Sequence, residues 1–226
     1  MIMDRYMRDV SILLLVFLTT IQTFYIIFCS GNSHMFCVEN ERQTLLRFKQ
    51  SFNDPSNRLS SWAGEGDCCK WVGVVCDNLT GNVKELHLQN PLSDSVSATE
   101  HKAYVRSQLG GKLNPSLLNL KHLSYLDLSN NNFGGIQIPS FIGSLGSLRY
   151  LNLSKARFGG VIPYQLGNIS SLHYLDLEGD FEGLIPHQLG NLSSLHYLVL
   201  GGGDFGRLYP IIFNGFLVIP CCSTLI

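Results

Sequence analysis

The chain has 226 residues, of which 15% are charged, and its formal net charge is −1. The composition agrees with a secreted protein, and no basic patch suggests binding to nucleic acid or to an anionic membrane surface. No Ser/His/Asp set or carboxylate pair stands out in the sequence, so neither an enzyme nor a cofactor is predicted.

The first 30 residues are predicted to form a secretory signal peptide. Arg5 and Arg8 precede an apolar run over residues 12–18, and Ser30 and Gly31 supply small residues for cleavage. The alternative is an uncleaved membrane anchor. Polar residues at positions 19, 20, 22 and 23 break the apolar stretch, which favours cleavage and the loss of Cys29 from the mature chain.

Residues 31–82 are predicted to form a cap at the N-terminal end of the array that follows. Asn40 and Gln43 have the spacing of a helix-capping pair. Leu45 and Phe48 then give the helix an apolar face, and the helix is expected to end near Pro55. We expect this helix to cover the first strand of the array.

Cysteines are the second feature of the cap. They are Cys37, Cys68, Cys69 and Cys76, and no cysteine lies between residues 77 and 220. Four cysteines permit three pairings, and because adjacent Cys68 and Cys69 do not easily bond to each other, two arrangements remain open. The competing interpretation is a metal site, which is disfavoured because no His lies at ligand spacing and the signal peptide implies an oxidising compartment.

Beyond the cap, the chain repeats itself at a period of 23 to 25 residues. Four blocks begin at Leu120, Leu145, Ile169 and Leu192, and an earlier block begins at Val83 and is interrupted by a polar insertion over residues 91–108. Self-similarity at this period is the signature of a leucine-rich repeat solenoid. About five repeats are therefore predicted over residues 83–208.

Alternation within each repeat predicts one short strand. Leu126 and Leu128 point inward while Tyr125 and Asp127 point outward, and the strands stack into a parallel sheet on the concave face of a right-handed α/β superhelix. Gly and Pro return the chain behind each strand. A phenylalanine follows each strand, which predicts a buried aromatic column on the convex side: Phe133, Phe158, Phe181 and Phe205. The loop asparagine that usually follows the strand is present at Asn131, and Ala156 takes its place in the next repeat.

The outward strand positions are the predicted ligand-binding residues. They are Glu85, His87, Tyr125, Asp127, Tyr150, Asn152, Tyr174, Asp176, Tyr197 and Val199. The tyrosines form one column, which is either a contact ridge or a mere copy of one repeat sequence. His173 and His196 are open to the same two interpretations, a response to acidity or a duplication without function.

Four sequons offer N-glycosylation sites at Asn78, Asn152, Asn168 and Asn191. Asn168 and Asn191 occupy the same repeat position, so glycans there would shield one edge of the solenoid. Asn152 lies in a predicted strand, where a glycan would stand on the concave face itself.

The last segment, residues 209–226, matches no repeat. It is apolar, but Asn214, Gly215 and Pro220 interrupt it and it is too short to span a bilayer. It is either read-through or a gene fragment, or a tail that covers the last repeat. Cys221 and Cys222 offer a further alternative, a terminal cysteine cap.

The cap motifs resemble those of plant extracellular leucine-rich repeat receptors. The matching segments are Leu59-Ser-Ser-Trp62, Cys68-Cys-Lys-Trp71-Val-Gly-Val-Val-Cys76 and Thr80-Gly-Asn-Val83, together with the Gly-x-Ile-Pro returns. Within that group, the insertion and residues 111–141 most resemble receptor-like proteins of the ethylene-inducing xylanase receptor type, here as an N-terminal fragment. The resemblance implies that Cys37 pairs with Cys68 and Cys69 with Cys76.

The resemblance also implies a function, cell-surface recognition of microbial or peptide ligands in plant defence without catalysis. Implied partners are protein or peptide ligands and other leucine-rich repeat receptors or receptor kinases. Members of this family carry more repeats, a C-terminal cysteine cap and a membrane helix, none of which is recognisable here. The alternatives are a secreted inhibitor similar to polygalacturonase-inhibiting proteins, against which the insertion argues, or a non-functional gene fragment.

Overall fold

The computed structural model describes residues 16–19, 36–92, 97–201, 211–213 and 216–218. The chain divides into two units, Met1–Met35 and Phe36–Ile226. Residues 16–19 are helical, and the rest of the predicted signal peptide, including Cys29, lies outside the described residues, as do Phe205, Cys221 and Cys222. In the part of the chain that the structure describes, no helix is both long and apolar enough to cross a membrane.

The cap begins with helix α1 (Glu39–Lys49), followed by strand β1 (Phe52–Asn53), a 3-10 turn (Cys68–Lys70) and strand β2 (Val74–Cys76). Acidic residues in the first turn of α1 and basic residues in its last turn complement the helix dipole. Leu45 and Phe48 of this helix are fully buried. Disulfides join Cys37 to Cys68 and Cys69 to Cys76, which is the pairing that the resemblance implies.

The repeats supply the remaining elements. In chain order they are β3 (Val83–His87), α2 (Ala98–Ser107), β4 (Gly110–Gly111), β5 (Tyr125–Asp127), β6 (Tyr150–Asn152), β7 (Gly159–Val161), β8 (Tyr174–Asp176), β9 (Asp180–Glu182), β10 (Tyr197–Val199), β11 (Ile211–Phe213) and β12 (Phe216–Val218). Four 3-10 helices alternate with the strands on the convex side: Pro115–Asn119, Ser140–Ser144, Tyr164–Asn168 and His187–Asn191.

One six-stranded sheet forms the concave face, in the order β10-β8-β6-β5-β3-β2. Strands β3 to β10 of this sheet pair in parallel, whereas β2 runs antiparallel to β3. The edge of β3 is therefore covered by β2, which corrects the expectation that the cap helix covers it. Helix α1 instead packs against the 3-10 helix Pro115–Asn119, and its Glu41 carboxylate accepts a hydrogen bond from the Val83 amide at 2.6 Å.

The convex side carries the predicted phenylalanine column. Phe133, Phe158 and Phe181 are each at most 2% exposed, and the rings of Phe133 and Phe158 stack at 4.5 Å. Neighbouring 3-10 helices approach so closely that glycine is required at their contact. A Cβ atom on Gly167 would lie 2.2 Å from the carbonyl oxygen of Gln188 in the next repeat.

The insertion contains helix α2, where the sequence indicated only a polar stretch. Helix α2 buries Tyr104 and Ser107, and both bond to the buried Asn90: the Asn90 amide donates to the Tyr104 carbonyl at 3.0 Å, and the Ser107 hydroxyl donates to Asn90 Oδ1 at 2.7 Å. The insertion is thereby fixed to the end of β3. Ser97 and Glu100 have the spacing of a capping box, although the Ser97 side chain makes no capping hydrogen bond to the helix.

Arg58 and Asn131 join the cap, the insertion and the repeats. The Arg58 guanidinium donates to the Ser107 carbonyl at 2.9 Å, to Asn131 Oδ1 at 3.0 Å and to the Leu88 carbonyl at 3.1 Å. Asn131 is fully buried, and its amide donates to the carbonyls of Leu88 and Leu128 at 2.8 Å. Burial lowers the pKa of Arg58, but oxygen acceptors surround its charge.

At the other end, β11 and β12 form an antiparallel hairpin, and β11 lies against the 3-10 helix His187–Asn191. The hairpin is separate from the concave sheet, whose last strand is β10. Leu195 is 8% exposed, whereas the equivalent Leu123 and Leu148 are at most 1% exposed. Core burial therefore decreases toward the last described repeat.

Candidate ligand-binding face

A continuous stack of aromatic rings crosses the concave sheet. Strand register aligns Glu85, Tyr125, Tyr150, Tyr174 and Tyr197 in one row. The tyrosine centroids are 4.1, 4.2 and 4.4 Å apart with interplanar angles of at most 13°. These spacings are close to the strand separation of about 4.8 Å, so the sheet itself sets the stack. We call these four tyrosines the tyrosine ridge.

His87 extends the stack by one ring toward the cap. Its imidazole stacks on Tyr125 at 4.4 Å, and its Nε2 atom lies 2.7 Å from Glu85 Oε2. Glu85 and His87 are therefore paired with each other, as neighbouring outward positions of one strand. The face thus begins with an ion pair or hydrogen bond, depending on the protonation of His87.

Stacking leaves the ridge with exposed edges instead of exposed faces. Each inner ring is covered on both sides by its neighbours, so a flat ligand or a sugar cannot lie on it as on an isolated aromatic platform. What remains open is a strip of ring edges and hydroxyl groups. Such a strip suits apolar side chains and backbone groups of a protein or peptide.

The aspartates of the second outward row are in the predicted register, but they are buried. Asp127 and Asp176 are 6% and 9% exposed. The hydroxyls of Tyr125 and Tyr174 donate to them at 3.4 and 3.3 Å. Alternation along a strand predicts which side a residue faces, but not that a tyrosine two positions earlier folds over it. These two aspartates position the ridge and are not open to a ligand.

Burial raises the pKa of Tyr125 and Tyr174 well above the usual range, with further contributions from the neighbouring tyrosines and from Asp127 and Asp176. Burial also raises the pKa of the Asp176 carboxyl, partly offset by hydrogen bonds from the Glu178 amide and the Tyr174 hydroxyl. Tyr125 and Tyr174 therefore remain neutral hydrogen-bond donors at physiological pH.

The sequons differ in accessibility. Asn78, Asn168 and Asn191 are exposed, and the last two end successive 3-10 helices, on one edge of the solenoid. Asn152 is half-buried in β6 between Asp127 and Asp176, and its Oδ1 atom accepts hydrogen bonds from the Ser154 amide at 3.0 Å and hydroxyl at 2.7 Å.

The sulfur atoms of Cys37, Cys68 and Cys69 lie within 4.8 Å of one another, a spacing that a metal ion also requires. Cys37 and Cys68 are bonded to each other and Cys69 is bonded to Cys76, and a sulfur atom in a disulfide is not a thiolate ligand. The cluster is therefore structural.

Known proteins share both the cap and the repeats. A family model described as Leucine rich repeat N-terminal domain matches residues 38–77, and one described as Leucine rich repeat matches residues 121–181. Receptor-like protein EIX1 of Solanum lycopersicum is 47% identical over 150 residues, which is 65% of this chain and 14% of that protein. Receptor-like protein 7 of Arabidopsis thaliana is 36% identical over 66% of this chain and 14% of its own length. The chain thus spans 14% of each of these relatives.

Solved structures agree with these matches. The crystal structure of the BIR3–SERK2 complex from Arabidopsis thaliana contains a chain with a TM-score of 0.61 and 35% identity, covering 72% of this chain and 81% of that one. The leucine-rich repeat ectodomain of the Arabidopsis thaliana receptor kinase GASSHO1/SCHENGEN3, in complex with CASPARIAN STRIP INTEGRITY FACTOR 2, has a TM-score of 0.58 and 31% identity, covering 72% of this chain and 18% of that one. With a leucine-rich repeat cap, the plant type of repeat and receptor-like relatives, the chain belongs to the plant leucine-rich repeat receptor-like proteins.

Proposed function

We propose that this chain is a non-catalytic extracellular recognition module of plant defence or signalling, which binds a protein, peptide or microbial ligand on its concave face. The observation that carries the proposal is the tyrosine ridge, a continuous stack of half-buried rings along the sheet. Tyrosine supplies large contact area and a hydroxyl group at low entropic cost, which is why it is enriched in binding surfaces.

The solved relatives support a protein or peptide partner. One is an ectodomain seen in the BIR3–SERK2 complex, and another is a receptor kinase ectodomain bound to CASPARIAN STRIP INTEGRITY FACTOR 2. By analogy, the partners of this chain are a protein or peptide ligand and other leucine-rich repeat receptors or receptor kinases. Helix α2 is fixed to the segment after β3 through Asn90, and this insertion favours the receptor branch over an enzyme inhibitor.

The proposal places the chain in the secretory pathway and at the cell surface or in the apoplast. Residues 1–30 would direct it there, and the exposed Asn78, Asn168 and Asn191 would carry glycans. Glycans on Asn168 and Asn191 would lie on one edge of the solenoid and leave the tyrosine ridge open. Half-buried Asn152 would remain largely unmodified, since a glycan there would stand on the ridge.

The test uses the full chain secreted from plant cells and two enzyme probes, a fungal ethylene-inducing xylanase and a fungal polygalacturonase. Binding is measured by biolayer interferometry for wild type, Tyr150→Ala/Tyr174→Ala and Tyr150→Phe. Tyr164→Ala is the matched control, because Tyr164 is 56% exposed but lies on the convex side. The ridge variant should lose affinity by about tenfold or more per tyrosine, while Tyr150→Phe keeps the stack and loses only the hydroxyl contact.

Xylanase binding that depends on the ridge supports the receptor role. Polygalacturonase binding that depends on the tyrosine ridge supports the enzyme-inhibitor role instead. Failure of both enzymes to bind at micromolar concentration, or equal affinity in the ridge variant and the Tyr164→Ala control, contradicts recognition by this face.

A further inference from the structure

Among the described residues, the carboxylates of the concave face are buried or already paired. Asp127 and Asp176 are buried under the tyrosine hydroxyls, and the half-buried Glu85 lies 2.7 Å from His87. Glu178, just beyond β8, lies 3.8 Å from the Lys155 ammonium. The formal net charge of −1 for the whole chain therefore does not describe what a ligand meets on this face.

A row of basic residues precedes the row that contains the tyrosine ridge, at the position one residue before Glu85 and before three of the ridge tyrosines. Its members are Lys84, Arg149, His173 and His196, with Ser124 between the first two, and we call it the basic row. The backbone keeps it in register, because the His173 amide donates to the Arg149 carbonyl and the His196 amide to the His173 carbonyl, each at 2.8 Å. All four basic side chains are exposed, and the two imidazole rings stack at 5.3 Å.

These cations have few partners. Within the described residues, the Arg149 guanidinium forms no hydrogen bond or ion pair, and Lys84 has only the exposed contact with Asp77 at 3.4 Å. A recess of about 480 Å³ is lined by Lys84, His122 and Arg149 together with two acids, Asp77 and Glu85. Asp77 accepts hydrogen bonds from the amides of Leu79 and Thr80, and Glu85 lies 2.7 Å from His87.

The two histidines add charge that depends on pH. His173 faces Arg149 on the strand before it and His196 on the strand after it, and its Nδ1 atom lies 2.7 Å from the Ser171 carbonyl. In the described part of the chain, no carboxylate pairs with either imidazole. An anion lying across both rings would favour their protonated forms.

Resting on the proposed function, we infer that the basic row recognises an acidic segment of a protein or peptide ligand, which lies across the strands with its neighbouring residues on the tyrosine ridge. Two strand spacings of about 4.8 Å separate Arg149 from His196, a distance that about three extended residues span. Binding strengthens as pH falls, because an anion lying across His173 and His196 favours their protonated forms. The tyrosine ridge supplies contact area, and the basic row makes the face selective for negatively charged ligands.

The test measures fluorescence anisotropy of two labelled probes, hexa-aspartate and hexa-lysine, with the full chain at pH 5.5 and 7.5 in low salt. Hexa-aspartate should bind the more tightly at both pH values, and tighter at pH 5.5. Arg149→Gln should weaken it by about fivefold, the effect of one charge pair at about 4 Å in water. His173→Gln/His196→Gln should leave the affinity at pH 7.5 nearly unchanged and abolish the gain at pH 5.5.

Lys112→Gln is the matched control, because Lys112 is exposed on the convex side and its loss removes one positive charge away from the basic row. Equal binding of hexa-lysine, or an Arg149→Gln effect no larger than that of Lys112→Gln, overturns the inference. If hexa-aspartate does not bind while an enzyme probe binds through the ridge, the inference fails and the proposed function stands. If neither binds, both fail.

Discussion

The two ends of the solenoid are built differently. At the N-terminal end, β2 pairs with the first strand of the array, two disulfides close the cap, and Arg58 donates into the loops of the first repeats. At the other end of the described residues, β10 is the last strand of the sheet, and Leu198 and Leu200 are half-buried, where Leu126 and Leu128 are fully buried. Repeat arrays are stabilised by nearest-neighbour contacts, so each repeat depends on the one before it.

The loops after the strands also become less well bonded with distance from the cap. Asn131 satisfies carbonyls of two repeats, whereas Ala156 occupies its place in the next repeat and bonds through its backbone alone. Lys155 and Arg157 have positive φ angles of 53°, and the equivalent of Lys155 is Asn130, a residue type that tolerates this region. The tyrosine ridge extends from the well-bonded repeats near the cap to the less buried last described repeat. Its Tyr125 end is therefore held more firmly than its Tyr197 end.

Removal of the disulfides should have the largest effect and should separate the two bonds. Cys37→Ala/Cys68→Ala removes a disulfide between cysteines 31 residues apart, which should lower the free energy of unfolding by about 4 kcal/mol. Cys69→Ala/Cys76→Ala removes one between cysteines 7 residues apart, which should lower it by about 2 kcal/mol. Urea denaturation of the two double variants measures both, each serving as the control for the other. Equal losses would show that the cap does not gain its stability from the longer loop.

Asn131→Ala should destabilise the protein by about 3 kcal/mol, because several buried backbone groups lose their partner at once. Its amide donates to Leu88 and Leu128, and its carbonyl oxygen accepts from the Leu109 amide and from Arg58. The control is Asn132→Ala, since half-buried Asn132 accepts only from the Gly134 amide at 3.1 Å. A similar midpoint of denaturation for both variants would contradict the role given to the Asn131 network.

The sequence predicts the sheet well and its polar network poorly. Alternation places Tyr125 and Asp127 on the concave side, and the period aligns the tyrosines, because both depend on local spacing. That Asp127 is buried depends on the direction of one tyrosine side chain, which spacing does not determine. The contacts of Arg58 join segments up to 73 residues apart, and no local pattern encodes them.

Gly167→Ala should destabilise the protein by about 2 kcal/mol, because the new Cβ atom would lie 2.2 Å from the Gln188 carbonyl oxygen of the neighbouring repeat. Gly146→Ala is the matched control, since a Cβ atom there meets nothing within 4 Å. This control should be neutral or slightly stabilising, because alanine restricts the unfolded chain. Equal thermal midpoints for the two variants would show that the 3-10 helices can separate without loss of the core.

The smallest expected effect is a change in the pH dependence of stability at the firmly held end. Burial raises the pKa of Glu41, partly offset by the hydrogen bond from the Val83 amide and by nearby His122. A carboxyl whose folded pKa is raised stabilises the protein below its unfolded pKa, and this contribution is lost as pH rises through the folded pKa. Stability should therefore be greater at mildly acidic pH than at neutral pH.

Glu41→Gln keeps an oxygen acceptor for the Val83 amide but cannot ionise, so it should stabilise the protein at pH 7 and flatten the dependence of the denaturation midpoint on pH. Part of the slope should remain, because the pKa of Asp176 is raised in the same direction by burial. Glu182→Gln removes an exposed carboxylate from β9 and should leave the slope unchanged. If both variants keep the wild-type dependence of the denaturation midpoint on pH, ionisation of Glu41 does not destabilise the cap. The greater stability at acidic pH would then arise from Asp176 beneath the tyrosine ridge.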